Sequence, residues 1–276
     1  MFNTTIATQI YAKICFEATN SQKKIIENLS EYLSDDDFSR IFVLNGFAGT
    51  GKTTLIAALV AALKELRIKP VLLAPTGRAA KVLARYCGEQ ALTIHKRIYR
   101  QRTNADYESK FSLDFNREQG AVFIVDEASM LSDSTGDGAL FGSGSLLEDL
   151  VSYVRSGRGC RLILVGDSAQ LPPVGCDFSP ALDPATVSRY GEVVYGLMDE
   201  VVRQQMQSGI LFNATLVRCM LENRIYEIPK FEMDYPDFES VEGGDFMEKL
   251  QDAFDRYGRD EVIVITQDNK FSYYDR

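Results

Sequence analysis

One continuous stretch, residues 41–63, does most to restrict the fold of this 276-residue chain. Residues 41–44 (Ile-Phe-Val-Leu) have strong strand propensity, and residues 53–63 read as a helix. Between them, residues 46–53 (Gly-Phe-Ala-Gly-Thr-Gly-Lys-Thr) match the phosphate-binding pattern G-x-x-x-x-G-K-S/T. Glycines let the backbone curl so that several N–H groups converge on one anion, and the helix N-terminus adds a partial positive charge. The stretch therefore predicts an α/β domain that binds a nucleoside triphosphate.

The chemistry of this loop assigns separate roles to its residues. Lys52 can reach the β- and γ-phosphates of a nucleotide, and the Thr53 hydroxyl can ligate Mg²⁺. A glycine-rich turn without a ligand is the alternative, but the complete pattern between a strand and a helix disfavours it. The residues predicted to bind the nucleotide are Gly46, Phe47, Ala48, Gly49, Thr50, Gly51, Lys52, Thr53 and Thr54.

Composition excludes some classes of protein. The chain is 45% hydrophobic and 25% charged, which is ordinary for a globular protein. No apolar run approaches the roughly 20 residues of a membrane span, and the N-terminal residues lack the basic-then-apolar layout of a signal peptide. Five scattered cysteines without a C-x-x-C pair argue against a disulfide framework or a zinc site. We therefore expect a cytoplasmic protein with neither a membrane nor a disulfide-linked partner.

Charge is distributed unevenly along the chain. The net charge is −9, yet residues 64–102 carry ten Lys and Arg against only Glu65 and Glu89. Residues 232–252 are predominantly acidic. A chain that is acidic overall can still hold a polyanion at one basic segment. A solvated basic helix face explains the same residues equally well, so charge alone leaves both interpretations open.

Apolar runs that alternate with helical patterns organise the rest of the chain. Such runs are expected of central parallel strands, and their alternation with helices predicts a mostly parallel sheet with helices on both faces. Two segments interrupt the alternation: residues 97–118 predict a small inserted β-hairpin, and the Gly/Ser-rich residues 132–145 predict a mobile loop. The further predicted strands are residues 71–74, 121–125, 161–165 and 261–266, and the further predicted helices are residues 20–33, capped by Asn20 or Ser21, and residues 78–86.

Polar residues that follow two of these strands indicate phosphate chemistry. Asp126 and Glu127 come directly after residues 121–125. A carboxylate at the end of a strand that neighbours the phosphate loop can hold Mg²⁺ through water, which we assign to Asp126; Glu127 can then orient and deprotonate an attacking water. An acidic pair that merely starts a helix is the alternative. Gln170 precedes two prolines, which forbid a helix, and a loop Gln at this edge of the sheet can contact both the γ-phosphate and that water.

A series of motifs gives a more specific resemblance. GFAGTGKTT, LLAPTGRAAKVL, TIHK, VDEASM, LVGDSAQLPPVG and EVVRQ occur in this order between residues 19 and 204. The series resembles that of superfamily 1 DNA helicases, most closely the RecD/Dda-like branch, whose members resemble the exonuclease V alpha chain. The resemblance implies a RecA-like ATPase domain that uses ATP and Mg²⁺, with residues 97–118 as its small inserted subdomain. It also implies a helicase of 5′-to-3′ polarity that acts on single-stranded DNA in repair or recombination.

Further roles follow from that resemblance. Gln22 matches the family's adenine-reading glutamine, with a solvated helix residue as the alternative. Arg203 matches the arginine that reaches the γ-phosphate, with a surface ion pair to Glu200 as the alternative. For His95, the only histidine, packing is as good an explanation as contact with DNA, and nearby Tyr99 is an aromatic on which a base can stack. The residues assigned to the single-stranded DNA path are Pro75, Thr76, Arg78, Lys81, Thr93, His95 and Lys96.

The sequence departs from the family pattern near residue 276. The family's second RecA-like domain carries a later DNA-binding motif and a second arginine motif, and neither occurs in this sequence. We therefore expect residues 1–260 to form the first motor domain, and residues 261–276 to resemble only the start of the second. On that basis the isolated chain is expected to hydrolyse ATP slowly. A nucleotide-responsive fragment that binds ATP and DNA with little turnover is the alternative to a working motor.

Overall fold

The structure is a computed structural model, which describes residues 2–14, 17–103, 109–133, 141–200 and 208–266. The chain consists of two compact units, Met1–Met206 and Gln207–Arg276. This division falls well before residue 260, where the sequence led us to place the end of the first domain. The assignment of residues 261–276 to the start of a second RecA-like domain stays a prediction, because most of them lie outside the described part.

The described part of the first unit contains a parallel sheet and a separate hairpin. Its strands are β1 (Ile41–Gly46), β2 (Pro70–Ala74), β3 (Ala91–Thr93), β4 (Tyr99–Thr103), β5 (Ser109–Leu113), β6 (Val122–Val125), β7 (Arg161–Gly166) and β8 (Val193–Met198). The sheet has the order β3-β2-β6-β7-β1-β8, and every neighbouring pair in it is parallel. The strands predicted within this unit are confirmed, and the architecture is that of an α/β phosphate-loop NTPase.

Helices of the first unit cover this sheet, and the cap of one of them differs from the prediction. These helices are α1 (Phe2–Lys13), α2 (Asn20–Ser34), α3 (Lys52–Glu65), α4 (Gly77–Cys87), α5 (Ile94–Ile98), α6 (Leu146–Ser156) and α7 (Pro184–Val187). The second unit contains α8 (Gly209–Glu222) and α9 (Phe246–Tyr257). Thr19, not Asn20 or Ser21, caps α2, because a capping box needs a Glu or Gln three residues after the cap, and Gln22 meets that condition. Among the helices described, none has the length and apolar character that a membrane crossing requires.

Apolar side chains cover the sheet on both faces. Along β1, Phe42 and Leu44 belong to one hydrophobic cluster and Ile41 and Val43 to the other, as the alternation of a strand requires. The first cluster includes side chains of α1, α2, α3 and α4, and the second those of α5, α6 and α7. Full burial of a Leu, Ile or Phe side chain stabilises a fold by about 1.5–3 kcal/mol. These two layers therefore hold the strand ends, from which the polar loops emerge, in a fixed arrangement.

The predicted inserted hairpin is confirmed. β4 and β5 pair antiparallel, with Tyr99 opposite Leu113 and Arg100 opposite Ser112. Residues 104–108, between these two strands, lie outside the described part. The same holds for residues 134–140 in the middle of the Gly/Ser-rich segment, so the mobility of that loop stays a prediction.

Within the second unit, polar contacts join residues 232–237 to the first turns of α8. Asn213 donates to the Glu232 carbonyl and accepts from the Glu232 N–H, both at 2.8 Å. Asp237 accepts from the Gly209 N–H at 2.7 Å.

The prediction of a strand at residues 261–266 is wrong, because these residues are irregular and mostly exposed. A central parallel strand needs neighbours to pair with, and none of the described strands pairs with this segment.

Candidate nucleotide-binding site

The loop between β1 and α3 has the curled backbone of a phosphate cradle. Gly49 and Gly51 adopt left-handed conformations, with φ of 75° and 86°, which residues with a side chain rarely adopt. Gly46 is required for another reason, because a Cβ atom there would lie 2.9 Å from Cγ and Cδ of Lys52. The Thr50 hydroxyl donates to a carbonyl within the loop at 2.8 Å. The glycines of the motif are therefore structural requirements of this turn.

Lys52 begins α3 and turns back over the loop. Its ammonium donates to the carbonyls of Gly46 and Phe47, the latter at 2.9 Å. The ammonium also lies 3.9 Å from the Asp167 carboxylate. Burial lowers the pKa of Lys52. The negative charges of Asp167, Glu127 and Asp126 oppose that shift, in this order of size. Lys52 is therefore the positive centre of a site that is otherwise acidic.

All nine predicted loop residues lie between the end of β1 and the first turn of α3. Thr53 is half-buried, and Thr54 beside it is exposed. Thr53 directly follows Lys52 in the first turn of α3. Their assignment to a nucleotide stays a prediction.

Asp126 and Glu127 follow β6 directly. Burial raises the pKa of Asp126, and a hydrogen bond from the Glu127 N–H and the charge of Lys52 oppose the shift. Burial and then the charge of Asp126 raise the pKa of Glu127. The charge of Lys52 and a hydrogen bond with Gln170 oppose this shift. Glu127 also has a φ of 55°, a strained conformation for a residue with a side chain.

The order of the strands corrects one expectation. The strand that carries Asp126 and Glu127 does not neighbour the strand of the phosphate loop, because β7 lies between β6 and β1. Asp167, at the end of β7, is buried, and its Oδ1 accepts from the Ala169 N–H at 2.9 Å. Sequence reasoning missed Asp167, although it ends an apolar strand just as Asp126 does. That shared position makes Asp167 a candidate, but only the strand order places it beside Lys52.

A buried asparagine fastens the loop after β7 to the end of β1. Asn45 donates to Ser168 Oγ at 2.8 Å and to Tyr195 Oη at 3.1 Å, and its own carbonyl oxygen accepts from the Ser168 N–H at 3.0 Å. Gln170 lies further along this loop and is exposed. Its Oε1 accepts from Ser129 Oγ at 3.2 Å. The structure therefore brings Gln170 to the carboxylate pair, whereas its contact with a γ-phosphate stays a prediction.

Gln22 lies against the phosphate loop from the side of α2. Its Nε2 donates to the Thr50 carbonyl at 2.9 Å, and its Oε1 accepts from the Thr19 N–H at 3.0 Å. The side chain is 1% exposed, so the alternative of a solvated helix residue is wrong, and adenine recognition stays a prediction. Arg203 lies outside the described residues, and its role stays a prediction. Glu200, its alternative partner, accepts hydrogen bonds from two N–H groups at the start of α2.

The residues assigned to a DNA path begin two helices at the carboxyl edge of the sheet. Thr76 caps α4 by accepting from the Ala79 N–H at 3.1 Å, and Thr93 caps α5 by accepting from the Lys96 N–H at 3.3 Å. Because α4 and α5 follow β2 and β3, both start at the edge that carries the phosphate loop. Pro75 is half-buried, whereas Arg78, Lys81 and Lys96 are exposed.

His95 and Tyr99 are packed against other rings. The His95 ring lies 5.6 Å from that of Tyr99 and 5.1 Å from that of Phe141. Burial lowers the pKa of His95. Tyr99 is 7% exposed, so the expectation that a base stacks on it is wrong. These contacts favour the packing explanation for His95.

Comparison with known proteins identifies the family. A family model described as an AAA domain matches residues 17–212, more than half of the chain. The chain belongs to this family. This AAA domain is 30% identical to the ATP-dependent RecD2 DNA helicase of Deinococcus radiodurans over 154 residues, which are 56% of this chain and 19% of that protein. It is 34% identical to the ATP-dependent DNA helicase dda of Enterobacteria phage T4 over 136 residues, 48% of this chain and 28% of that protein.

Among solved structures, the Pif1 helicase of Candida albicans aligns with a TM-score of 0.47 and 20% identity, covering 78% of this chain and 46% of that one. The AAA domain spans less than a third of the length of the two relatives named above. The resemblance to the RecD/Dda-like branch is confirmed by these relatives. The AAA domain is therefore helicase-like.

Proposed function

We propose that this AAA domain binds ATP with Mg²⁺ and hydrolyses it as a motor domain of a DNA helicase. The observation that carries the proposal is the convergence of side chains on one edge of the sheet, namely Lys52, Asp126, Glu127, Asp167 and Gln170. Such a set supplies a phosphate-binding cation, a carboxylate for the metal, a base and a polar γ-phosphate contact. The relatives named as ATP-dependent DNA helicases support the same proposal.

The phosphate loop fits a triphosphate together with Mg²⁺. Lys52 would bind the β- and γ-phosphates, with Thr53 and Asp126 directed at the metal, which when bound neutralises charge on these phosphates. No three His, Cys, Asp or Glu side chains cluster into a complete metal site within the described ranges. At nucleotide sites Mg²⁺ takes most of its ligands from phosphates and water, so Thr53 and Asp126 would be the protein's part of its shell.

Glu127 is the proposed base. A carboxylate with a raised pKa is a stronger proton acceptor than an ordinary one, and general bases act best when their pKa approaches the working pH. As the water oxygen bonds to the γ-phosphorus, its proton passes to the Glu127 carboxylate, and the bond from that phosphorus to the bridging oxygen breaks, so that ADP leaves and inorganic phosphate is formed. Gln170 bonds both Glu127 and Ser129, so it can orient the base as well as contact the water.

Nucleic acid is the proposed second ligand, at the starts of α4 and α5. Arg78, Lys81 and Lys96 are exposed at the carboxyl edge of the sheet, and cations on such a surface bind phosphates of a nucleic-acid backbone. Both relatives are named as DNA helicases. Single-stranded DNA as the preferred form, 5′-to-3′ polarity and a part in repair or recombination rest on the family resemblance.

Hydrolysis by Glu127→Gln tests the proposed ATPase. The amide keeps the size of the side chain but cannot take up the proton, so we expect ATP affinity within about threefold of wild type and turnover lower by about 10²–10⁴-fold. Phosphate release is measured under single-turnover conditions, which detect slow hydrolysis, with and without single-stranded DNA. Lys24→Ala, an exposed change on α2, is the control. Equal turnover by wild type and Glu127→Gln would contradict the assignment.

A salt series tests the nucleic-acid contact. Fluorescence anisotropy of a labelled oligonucleotide gives the affinity at each salt concentration for wild type, Arg78→Ala and Lys96→Ala. Each lost phosphate contact should reduce the slope of log affinity against log salt by about 0.7. Lys24→Ala should leave the slope unchanged. Affinity that is independent of salt would show that the basic segment is a solvated face.

A further inference from the structure

An aromatic ring joins the hairpin to the segment that leads into α6. Phe141 stacks on Phe111 of β5, with ring centroids 4.5 Å apart and an angle of 19° between the planes. The same ring lies 5.2 Å from Tyr99, at the start of β4, and 5.1 Å from His95 of α5. Aromatic rings at such separations attract one another beyond the effect of their burial. One side chain therefore holds three elements together.

The backbone repeats this connection. The Gly142 N–H donates to the Phe111 carbonyl at 2.9 Å, and Phe111 and Phe141 form a parallel β-bridge. Residues 141 and 142 thus act as a short third partner for the hairpin at the middle of β5. A two-stranded hairpin is marginally stable alone, so this added partner restricts how it can tilt.

A buried carboxylate connects the same contact to α6. Asp149 is 5% exposed and accepts from Tyr99 Oη at 2.6 Å and from the Ser143 N–H at 3.0 Å. Burial and this carboxylate raise the pKa of Tyr99, so its hydroxyl remains a donor. α6 packs into the core beneath the sheet through the fully buried Leu147 and Leu150. Asp149 therefore links the hairpin to the body of the domain.

This junction requires glycine at residue 142. Gly142 has a φ of +46°, and a Cβ atom there would lie 1.9 Å from Asp149 Oδ2 and 2.8 Å from Cε1 of Tyr99. A methyl group must therefore displace the carboxylate or the ring. The end of the Gly/Ser-rich segment is thus built for close contact with its neighbours.

Contacts at the base of the hairpin act nearer to the domain. The Asp114 N–H donates to the Ile98 carbonyl at 2.7 Å, and Glu118 pairs with Arg97 at 2.7 Å. Phe111 lies farther from the base of the hairpin than Asp114 does. The junction of Phe111, Phe141 and Gly142 therefore holds the hairpin at a point more distant from the domain than these contacts do.

We propose that Phe141 and Asp149 are positioning residues, which hold the β4–β5 hairpin and α5 at one angle to the sheet so that the nucleic-acid contacts of α5 keep a fixed geometry. The nucleic-acid part of this inference rests on the function proposed above. Both residues act through their contacts with Tyr99, Phe111 and His95.

Distances between two spin labels report the hairpin angle directly. One label is attached at residue 110 in β5 and the other at residue 152, exposed on α6, through genetically encoded azido side chains that spare the native cysteines. The junction variants are Gly142→Ala and Phe141→Ala. Gly120→Ala is the matched control, because Gly120 has a φ of +61° but nothing within 4 Å of an added Cβ. If either junction variant fails to fold, as judged by thermal unfolding, Tyr99→Phe replaces it and removes only the hydroxyl.

We expect one narrow distance distribution in wild type and Gly120→Ala, and a broad distribution in the junction variants. Because a loosened element must be ordered on binding, affinity for single-stranded DNA should fall by roughly five- to tenfold, with ATP affinity unchanged within about twofold. Phe141→Leu, which restores apolar bulk, should recover part of both effects.

Unchanged distance distributions in the junction variants would overturn the proposal, and so would broad distributions without loss of DNA affinity. If wild type itself binds no DNA, the proposed function fails, and the nucleic-acid part of this inference fails with it. The label distances then decide by themselves whether the junction holds the hairpin.

Discussion

Gln22→Ala separates support of the phosphate loop from recognition of the adenine base. The Gln22 amide extends from the first turn of α2 to the Thr50 carbonyl, and its removal also takes an acceptor from the Thr19 N–H. A typical hydrogen bond contributes about 0.5–1.5 kcal/mol, and a buried group left unsatisfied costs about 1–3 kcal/mol. With two bonds lost and the Thr50 carbonyl left buried, we expect the free energy of unfolding to fall by about 2–4 kcal/mol.

The assay combines calorimetric melting with nucleotide titration. For a unit of this size, each kcal/mol lowers the melting temperature by about 2–4 °C, so the expected shift is roughly 4–16 °C. Because the described partners of the Gln22 amide are Thr50 of the loop and Thr19, we expect the affinities for ATP and GTP to fall by the same factor. Lys24→Ala, exposed on the same helix, should change neither quantity.

A loss of ATP affinity without a loss of GTP affinity would refute this reasoning. If Gln22→Ala binds GTP as tightly as wild type but binds ATP at least about tenfold more weakly, a difference of 1.4 kcal/mol or more, Gln22 reads adenine as the family resemblance implies. An unchanged melting temperature would also refute it, because the two hydrogen bonds would then contribute nothing. Gln22→Glu adds a second check, since it keeps the acceptor for Thr19 but sets a carboxylate against the Thr50 carbonyl, and it should destabilise at least as much as alanine.

Further predictions concern the same edge of the sheet. Lys52→Ala should weaken ATP binding by about one to two factors of ten, because a charge-assisted hydrogen bond contributes about 1.5–3 kcal/mol; equal affinities by titration calorimetry would exclude this. Burial raises the pKa of Glu127 above 4.5, the ordinary value for a glutamate side chain. Because the base must be ionised to act, turnover should already be lost on acidification at a pH above 4.5. Because the pKa of Glu127 is raised, this carboxyl group stabilises the folded state fully below pH 4.5 and loses that contribution as the pH rises through its folded-state pKa. The melting temperature of Glu127→Gln should therefore exceed that of wild type at pH about 8, and the difference should shrink as the pH falls. Asn45→Ala should reduce turnover more than it reduces ATP affinity, because it releases the loop that carries Gln170. Tyr195→Phe removes only one hydroxyl and should reduce turnover by a smaller factor. Equal losses of turnover and of ATP affinity would argue against this role of Asn45.

The sequence predicted those elements that depend on local pattern. The phosphate loop, the four central strands and the hairpin each have a glycine spacing or an apolar period that neighbouring residues set by themselves. The edge strands β3 and β8 were not predicted, because β3 has three residues and β8 includes a glycine. The strand at residues 261–266 was wrong because an apolar run specifies a strand only where other strands pair with it.

Features that depend on distant contacts could not be predicted in the same way. Asp167 joins the site only because β7 lies between β6 and β1. Tyr99 is buried because Phe141, from a segment far along the chain, packs against it. Local pattern therefore identified the phosphate chemistry, whereas the third carboxylate and the role of the aromatic residues required the fold.

The strained backbone at Glu127 has a consequence for protein engineering. Non-glycine residues with positive φ in the described part are Arg67, Glu127 and Arg224. Arg67 and Arg224 come just after α3 and α8, where a left-handed residue commonly ends a helix, whereas Glu127 follows a strand. Glycine or asparagine at residue 127 would relieve this strain, by about 1 kcal/mol or more, and would remove the proposed base. Selection for heat resistance alone would therefore favour inactive variants at this position, and a thermostable version of the domain requires that residue 127 be held fixed.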